Sequence, residues 1–190
     1  MTLSYVYRSP IGGLLITGDG CFITGCQFTD GPGADGRSRF ARGLETVPQA
    51  DTPPGPEPVP PMDTPPGPEP VPPDAIIAWC VRELDAYFTG ALTVFTVPVK
   101  PEGTPFRKKV WAELVRVPYG TTLSYGELAA RIGNPKAARA VGGANHHNPV
   151  VILIPCHRVV GTDGSLTGFG GGLDRKEFLL ALERNRVCAL

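Results

Sequence analysis

The sequence has no long apolar segment and no targeting signal. No run approaches the ~18–20 consecutive apolar residues that a membrane-spanning helix needs. Residues 1–25 also lack the basic stretch, apolar segment and small-residue cleavage site of a secretory signal. We therefore expect a soluble cytoplasmic protein that makes no contact with a membrane.

Histidine is scarce, and cysteine is irregularly spaced. The chain has three histidines and five cysteines, and the cysteines form neither a CxxC pair nor a regular framework. An odd number of unevenly spaced thiols in a cytoplasmic protein argues against a disulfide framework and against structural zinc. We expect Cys21, Cys26 and Cys80 to be small buried hydrophobic groups and Cys188 to be a thiol at a frayed end.

The charges are balanced overall but divided between the two halves of the 190-residue chain. Residues 1–99 carry five basic and eleven acidic residues, whereas residues 100–190 carry thirteen basic and seven acidic residues. A basic half is typical of a domain that faces a polyanion, although a solvated basic face without a partner is about as common. The charge pattern alone leaves both interpretations open.

Proline is concentrated in a tandem repeat. Residues 51–61 read DTPPGPEPVPP, and residues 63–73 repeat the same sequence after Met62. Because proline lacks an amide donor and has a fixed φ, this insert cannot join a helix or a sheet. We expect a surface spacer, with a ligand for a proline-binding groove as the alternative. The insert lies in a predicted N-terminal domain (1–99), which a second domain (100–190) follows.

The N-terminal domain has the pattern of a small sheet with one helix. Residues 4–8, 14–17 and 21–28 are predicted strands, with a tight turn at residues 18–20. Asp74 can cap a helix that runs to Phe88 and ends at Gly90. Its predicted apolar face contains Ile76, Ile77, Cys80, Leu84, Tyr87 and Phe88. Alternation over residues 92–99 predicts one more strand.

The C-terminal domain begins with helical signals. Thr104 is a predicted N-cap with Pro105 at the first helical position. Ser124 and Glu127 form a predicted capping box for a second helix, and a third helix begins at Lys136. Two short helices joined by a glycine-containing turn suggest helix-turn-helix, and the exposed side of the third helix consists mostly of alanine and glycine. Close packing in a core is the alternative to a nucleic-acid interface.

A cysteine follows the most apolar run of the chain. Residues 150–154 predict a buried strand, which Pro155 ends immediately before Cys156. A thiol at such a strand end is both fixed in position and accessible, and His157 or Arg158 could supply a base or a positive field. Because neighbours on extended chain point to opposite sides, we expect a bridging water rather than a direct bond between Cys156 and His157. A structural cysteine is the alternative.

These motifs together resemble a known family. Residues 134–183 contain, in order, R-A-V-G, Asn-Pro, I-P-C-H-R-V and G-F-G-G-G-L, and in this they resemble the O6-alkylguanine-DNA alkyltransferases, also called methylated-DNA-protein-cysteine methyltransferases. The similarity extends back to about Phe106, while the N-terminal similarity rests on residues 9–12 and a strand pattern. The resemblance implies an α+β protein with a ribonuclease-H-like N-terminal domain and a winged helix-turn-helix-like C-terminal domain.

The resemblance also implies a reaction and its catalytic residues. Cys156 would accept an alkyl group from O6 of guanine in a single irreversible turnover. His157 would take the thiol proton through a water, and Glu183 would orient His157. Tyr125 would donate to the departing guanine, and Asn148 would connect the recognition helix to the cysteine segment. From the sequence alone, Glu183 would be an exposed helix charge and Tyr125 a core residue.

Base and DNA contacts are implied in the same way. The base would be flipped out of the duplex, with Arg139 filling the gap. The glycine-rich residues 168–172 would form a pocket wall in which the Gly170 N–H reaches O6, and the carbonyls of Cys156 and Val159 would bind the exocyclic amine. The predicted DNA contacts are Asn134, Lys136, Ala137, Ala138, Arg139, Gly142 and Thr162.

The expected partner is double-stranded DNA that contains O6-alkylguanine, bound by a monomeric protein without cofactor or metal. His146 and His147 lie next to each other and, on one helix, would not share a face, so a phosphate-facing or solvated pair is expected. Activity on O4-alkylthymine and cooperativity along DNA stay open. The alternatives are a non-catalytic sensor of alkylated DNA or winged-helix regulator, and a thiol hydrolase that uses Cys156.

Overall fold

The N-terminal half contains a three-stranded antiparallel sheet. The computed structural model describes residues 2–30 and 75–187, so the proline-rich repeat, Asp74 and Cys188 lie outside the described residues. The strands are β1 (Leu3–Ser9), β2 (Gly12–Gly18) and β3 (Ile23–Phe28), in the order β1-β2-β3. The prediction of three strands joined in sequence is confirmed.

The turn between β2 and β3 explains where β3 begins. Oδ1 of Asp19 accepts hydrogen bonds from the backbone amides of Cys21 (3.0 Å) and Phe22 (2.8 Å). Because these two amides are bonded to Asp19 within the turn, they are not available for strand pairing. Strand β3 therefore starts at Ile23 rather than at Cys21 as predicted. Cys21 is exposed, so its predicted burial is wrong, whereas Cys26 and Cys80 are buried as expected.

Helix α1 (Ala75–Phe88) packs its apolar face against the sheet. The predicted face is confirmed: Ile76, Ile77, Cys80, Leu84 and Tyr87 are buried, and Phe88 is partly buried against the core. Gly90 follows the helix with φ of +74°, a left-handed conformation that favours glycine.

The predicted strand at residues 92–99 is wrong. Only Val99 pairs, through a single parallel bridge to Ile23. A buried side chain takes the backbone donors that a strand would need: Oε2 of Glu83 accepts from the amides of Thr96 (2.9 Å) and Val97 (3.0 Å). The hydroxyl of Thr96 also donates to Glu83.

The C-terminal half is mainly helical. Helices α2 (Pro105–Val115) and α3 (Tyr125–Arg131) begin as predicted, with Thr104 as N-cap of the first and the Ser124–Glu127 capping box on the second. A 3₁₀ turn (Pro135–Ala137) leads into α4 (Ala138–His146), and α5 (Leu173–Val187) ends the described chain. Strand β4 (Leu123–Ser124) pairs in parallel with β5 (Val159–Val160).

Residues 150–154 are buried as predicted, but they do not form a continuous strand. Val150 bridges to Cys26 of the sheet, Val151 bridges to Ile154, and Ile152 between them has φ of +73°. A β-branched residue in this region is a backbone outlier that the surrounding structure must hold in place. The tight turn leads into Pro155 and Cys156, and the Cys156 carbonyl accepts a hydrogen bond from Asn145 of α4.

One hydrophobic core includes residues of both halves, from Leu14 and Ile16 of β2 to Trp111 of α2 and Ile152 of the turn. The Trp111 indole N–H donates to the carbonyl of Ala144 at 2.9 Å, which ties α2 to α4. Within residues 2–30 and 75–187, no helix is long and apolar enough to cross a membrane.

Candidate active site

Cys156 lies in a single 3₁₀ turn (Cys156–Arg158) between the turn at 150–154 and β5. Its side chain is 3% exposed, and its sulfur accepts a hydrogen bond from Nδ2 of Asn148 at 3.1 Å. Burial raises the pKa of the thiol to about 11, although the Asn148 hydrogen bond and the positive charge of Lys176 act in the opposite direction. The resting thiol is therefore protonated at neutral pH.

Asn148 holds the turn that presents Cys156. Its Nδ2 donates to the Ile154 carbonyl at 2.8 Å as well as to the sulfur, and its Oδ1 accepts from the Val150 amide at 3.0 Å. One buried side chain thus satisfies backbone groups at both ends of the strained segment. Asn145 of α4 adds a second tie, because its Nδ2 donates to the Cys156 carbonyl at 3.0 Å.

His157 and Glu183 form a buried pair. Nε2 of His157 lies 2.8 Å from Oε1 of Glu183, and neither side chain is exposed to solvent. Burial lowers the pKa of His157 below its ordinary value of 6.5, while Glu183 acts in the opposite direction. A neutral ring that donates through Nε2 keeps Nδ1 as a proton acceptor, and Nδ1 has no hydrogen-bond partner among the described residues.

Three further residues donate hydrogen bonds to the Glu183 carboxylate. Arg158 donates through Nε (2.9 Å to Oε2) and Nη2 (2.9 Å to Oε1), the Gly120 amide donates at 3.0 Å, and the Tyr87 hydroxyl donates at 2.8 Å. Burial alone raises the pKa of Glu183, but hydrogen bonds from His157 and Arg158 outweigh it and lower the pKa to about 2. The exposed helix charge expected from the sequence alone is wrong, because Glu183 is fully buried.

Lys176 is a site residue that the sequence analysis missed. It is fully buried on α5, and its Nζ donates to the carbonyls of Val159 and Thr167, both at 2.6 Å. Burial lowers its pKa to about 8. A lysine on an amphipathic helix normally predicts an exposed charge, so its sequence position carries no signal of this role. Arg158 was considered as a source of positive field for Cys156, but its guanidinium pairs with Glu183 instead.

Tyr125 connects the first turn of α3 to the glycine-rich loop. Its half-buried side chain donates from the hydroxyl to the Thr167 carbonyl at 3.0 Å, the same carbonyl that Lys176 binds. A Cβ on Gly168 would lie 3.0 Å from the Tyr125 hydroxyl, and φ there is +60°. A Cβ on Gly171 would lie 2.5 Å from the Phe28 ring. Glycine is therefore required at position 168 by the left-handed backbone conformation and at position 171 by the lack of space beside Phe28.

The remaining predicted site residues differ in their exposure to solvent. Val159 is buried in β5, and Gly170 of the loop is exposed. Arg139 points to solvent from the first turn of α4, and Gly142 lies against the Tyr125 ring. Among the predicted DNA contacts, Asn134, Lys136, Arg139 and Thr162 are exposed, and Ala137, Ala138 and Gly142 are half-buried.

His146 and His147 lie at the C-terminal end of α4. Both are exposed, their rings meet edge to face at 5.4 Å, and Nδ1 of His147 lies 2.7 Å from the Gly143 carbonyl. No cluster of three or more potential metal ligands occurs within the described part of the chain.

The fold and the site together define an α+β protein whose helical half holds a buried cysteine beside a buried histidine–glutamate pair. A family model described as the DNA-binding domain of 6-O-methylguanine DNA methyltransferase matches residues 105–185. A methylated-DNA-protein-cysteine methyltransferase of Mycobacterium leprae is 40% identical over 179 residues, which cover 94% of this chain and 90% of that protein. The chain therefore belongs to the methylated-DNA-protein-cysteine methyltransferase family.

Other relatives match over shorter spans. The relative from Methanosarcina acetivorans is 60% identical over 102 residues, and this alignment covers 54% of the chain and 65% of the relative's length. Among solved structures, the O6-methylguanine methyltransferase of Mycobacterium tuberculosis has a TM-score of 0.76 and 38% identity, with coverage of 98% of this chain and 94% of that one. A structure of the M. tuberculosis protein in complex with DNA has a TM-score of 0.72 and 39% identity.

Proposed function

We propose that this chain repairs alkylated DNA by direct transfer of an alkyl group from O6 of guanine to the sulfur of Cys156. The observation that carries the proposal is the buried thiol of Cys156 next to the buried His157–Glu183 pair, in a chain that belongs to this family. The proposed partner is double-stranded DNA with an O6-alkylguanine, and the related M. tuberculosis structure with DNA supports this choice.

In the proposed reaction the carbon–oxygen bond breaks as the sulfur–carbon bond forms. The thiol proton moves through a bridging water to Nδ1 of His157, and Glu183 stabilises the resulting imidazolium. Negative charge develops on the departing guanine, and the Tyr125 hydroxyl would donate to it after releasing the Thr167 carbonyl. The thioether product has no leaving group that water can displace, so each molecule acts once.

The flipped base is proposed to lie between the loop at 168–172 and the Cys156 turn. The Gly170 amide would donate to O6, and the carbonyls of Cys156 and Val159 would accept from the exocyclic amine. These carbonyls already accept from Asn145 and Lys176. Because a carbonyl oxygen has two lone pairs, the Val159 carbonyl can accept one more hydrogen bond. The Cys156 carbonyl also accepts from the Val159 amide, so the amine would have to replace one of its two present donors.

The proposed DNA interface is the surface of α3, the 3₁₀ turn and α4, which would act as a winged helix-turn-helix-like unit within a domain at 100–190. Exposed Arg139 would fill the gap left by the flipped base, with Lys136, Asn134 and Thr162 against the backbone. Small residues at 137, 138 and 142 would let the sugar-phosphate chain approach closely. The domain at 1–99 would be ribonuclease-H-like, and a cytoplasmic location remains a prediction.

The test is intact mass spectrometry after mixing the protein with a duplex that carries one O6-methylguanine. We expect a gain of one methyl group per molecule that saturates at one. Cys156→Ala should gain none, whereas Cys26→Ala, which removes an equally buried thiol outside the site, should react like the wild type. Tight binding to the lesion without any gain of mass would instead indicate a non-catalytic sensor. Turnover of ester or peptide substrates would indicate a thiol hydrolase.

A further inference from the structure

The catalytic carboxylate receives a hydrogen bond from the other half of the molecule. Tyr87 lies near the end of α1, in the N-terminal half, and its hydroxyl donates to Oε1 of Glu183 across 96 residues of sequence at 2.8 Å. The side chain of Tyr87 is fully buried. This is a direct polar contact from the N-terminal half to the carboxylate that holds His157.

Tyr87 and His157 share the same oxygen atom. Nε2 of His157 is also 2.8 Å from Oε1 of Glu183, while the Gly120 amide binds Oε2. Arg158 also binds the carboxylate, with Nη2 on Oε1 and Nε on Oε2, both at 2.9 Å. The phenol adds to this restraint on the carboxylate and withdraws electron density from the atom that His157 uses. The phenol can therefore change both the orientation of His157 and the strength of its hydrogen bond.

The Tyr87 ring is itself held in place. It contacts the rings of Phe88 at 5.4 Å, Phe95 at 5.2 Å and Tyr119 at 6.0 Å between centroids. Burial, together with the charge of Glu183, raises the pKa of Tyr87 far above its ordinary value of 10.0. The hydroxyl therefore stays protonated, and remains a donor, at neutral pH.

We infer that Tyr87 is a positioning residue through which the N-terminal half sets the orientation and basicity of the His157–Glu183 pair. The inference deepens the proposed function and rests on it for its kinetic consequence. Without the phenol, Oε1 becomes a stronger acceptor for the Nε2 proton of His157. The imidazolium is then better stabilised, so protonation of His157 begins at higher pH.

The titratable and charged groups around the pair come from four elements. They are Tyr87 on α1, Tyr119 in the segment after α2, Cys156 and Arg158 beside His157, and Lys176 on α5. Removal of the Tyr87 hydroxyl leaves every one of the other groups in place. A change in the behaviour of His157 is therefore assignable to the lost hydrogen bond.

The test compares Tyr87→Phe with a matched control, Tyr7→Phe. Tyr7 is also buried, and its hydroxyl also donates to a carboxylate, Oδ1 of Asp85 on the same helix, at 2.6 Å. Each variant loses one phenol-to-carboxylate hydrogen bond, but only the bond lost in Tyr87→Phe involves Glu183. Both should lower the urea midpoint of unfolding, so stability alone does not distinguish the two roles.

Two readouts report on His157. In proton NMR of protein with ¹⁵N-labelled histidine, the Nε2–H signal of His157 should move downfield in Tyr87→Phe and stay unchanged in Tyr7→Phe. In single-turnover alkyl transfer, the acid limb of the pH–rate profile should move to higher pH and the plateau should fall roughly tenfold in Tyr87→Phe only. If the Nε2–H signal of His157 were at the same position in both variants as in the wild type, the inference would be overturned.

The NMR measurement tests the role of Tyr87 even if the wild type transfers no alkyl group. Absence of transfer would refute the proposed function but not this inference. If Tyr87→Phe fails to fold, 3-fluorotyrosine at position 87 replaces it. The more acidic phenol is a stronger donor, so the Nε2–H signal of His157 should move upfield and the acid limb to lower pH. Shifts in the opposite direction, or no shift, would overturn the inference.

Discussion

Methylation of Cys156 should destabilise the folded protein. Cys156 is 3% exposed, lies in a 3₁₀ turn and belongs to the hydrophobic core. It also accepts a hydrogen bond from Asn148 at 3.1 Å, and the same amide group holds the Ile154 carbonyl at 2.8 Å. A methyl group on this sulfur must therefore displace neighbouring atoms and compete with the Asn148 side chain.

The size of the effect follows from two contributions. Loss of the hydrogen bond to a sulfur that has become a thioether costs about 1 kcal/mol. Insertion of one methyl group into a well-packed interior costs about 1–3 kcal/mol. A total of about 2–4 kcal/mol corresponds to a fall in Tm of about 4–16 °C for a protein of this size.

Calorimetric scans of the protein before and after stoichiometric reaction with methylated duplex test this estimate, with the repaired DNA removed before the scan. Intact mass verifies one methyl group per molecule, and protein incubated with unmodified duplex is the control. An unchanged or higher Tm in fully methylated protein would refute the argument, since it would mean that the turn accommodates the methyl group without strain.

Three other variants probe the DNA face and the buried charges. Arg139→Ala should weaken binding to duplex DNA in an anisotropy titration while unfolding stability changes by less than about 0.5 kcal/mol, because the side chain is exposed; unchanged affinity contradicts the proposed contact. Glu183→Gln should lose about 3–5 kcal/mol in urea denaturation at neutral pH, because it leaves Arg158 buried without its charge partner. In the wild type, the stability due to Glu183 is present above its ordinary pKa of 4.5 and is lost as pH falls towards about 2. If the urea midpoint of Glu183→Gln fell as much as that of the wild type between pH 4.5 and pH 2, the loss of stability would not be due to Glu183. Lys176→Met should raise the pKa of Cys156, measured as the pH dependence of thiol alkylation, and an unshifted profile contradicts an effect of the Lys176 charge.

The elements that the sequence predicted well depend on local interactions. Thr104 and Pro105 set the start of α2, and the reciprocal bonds of Ser124 and Glu127 set the start of α3. Each of these caps involves residues no more than three positions apart, so the sequence contains the whole interaction. The apolar spacing of α1 likewise predicted which of its residues are buried.

The incorrect predictions depend on side chains from elsewhere in the chain. Alternation at residues 92–99 indicated a strand, but Glu83 binds the amides of Thr96 and Val97 and prevents sheet pairing there. The apolar run at 150–154 is a bent turn because Asn148 binds groups at both of its ends. Neither interaction has a periodicity that a sequence pattern could reveal.

The same distinction applies to the site. The position of Cys156 after an apolar run was compatible with a nucleophile or a structural cysteine, whereas Glu183 and Lys176 have the sequence context of exposed helix charges. Folding brings Glu183 to His157 across 26 residues and to Tyr87 across 96. Only the resemblance to a family assigned Glu183 to the site, and that resemblance did not include Lys176 or Tyr87.

The raised pKa of Cys156 bears on how the proposed transfer must proceed. With a pKa of about 11, only about one molecule in 10⁴ carries a thiolate at neutral pH. A preformed thiolate is therefore rare in the resting protein, and the proposed transfer needs a base that takes the thiol proton before or during bond formation. In the proposed mechanism this base is the neutral ring of His157, which Glu183 holds at 2.8 Å. Conditions that charge His157 beforehand should then stop transfer even when the damaged base is bound.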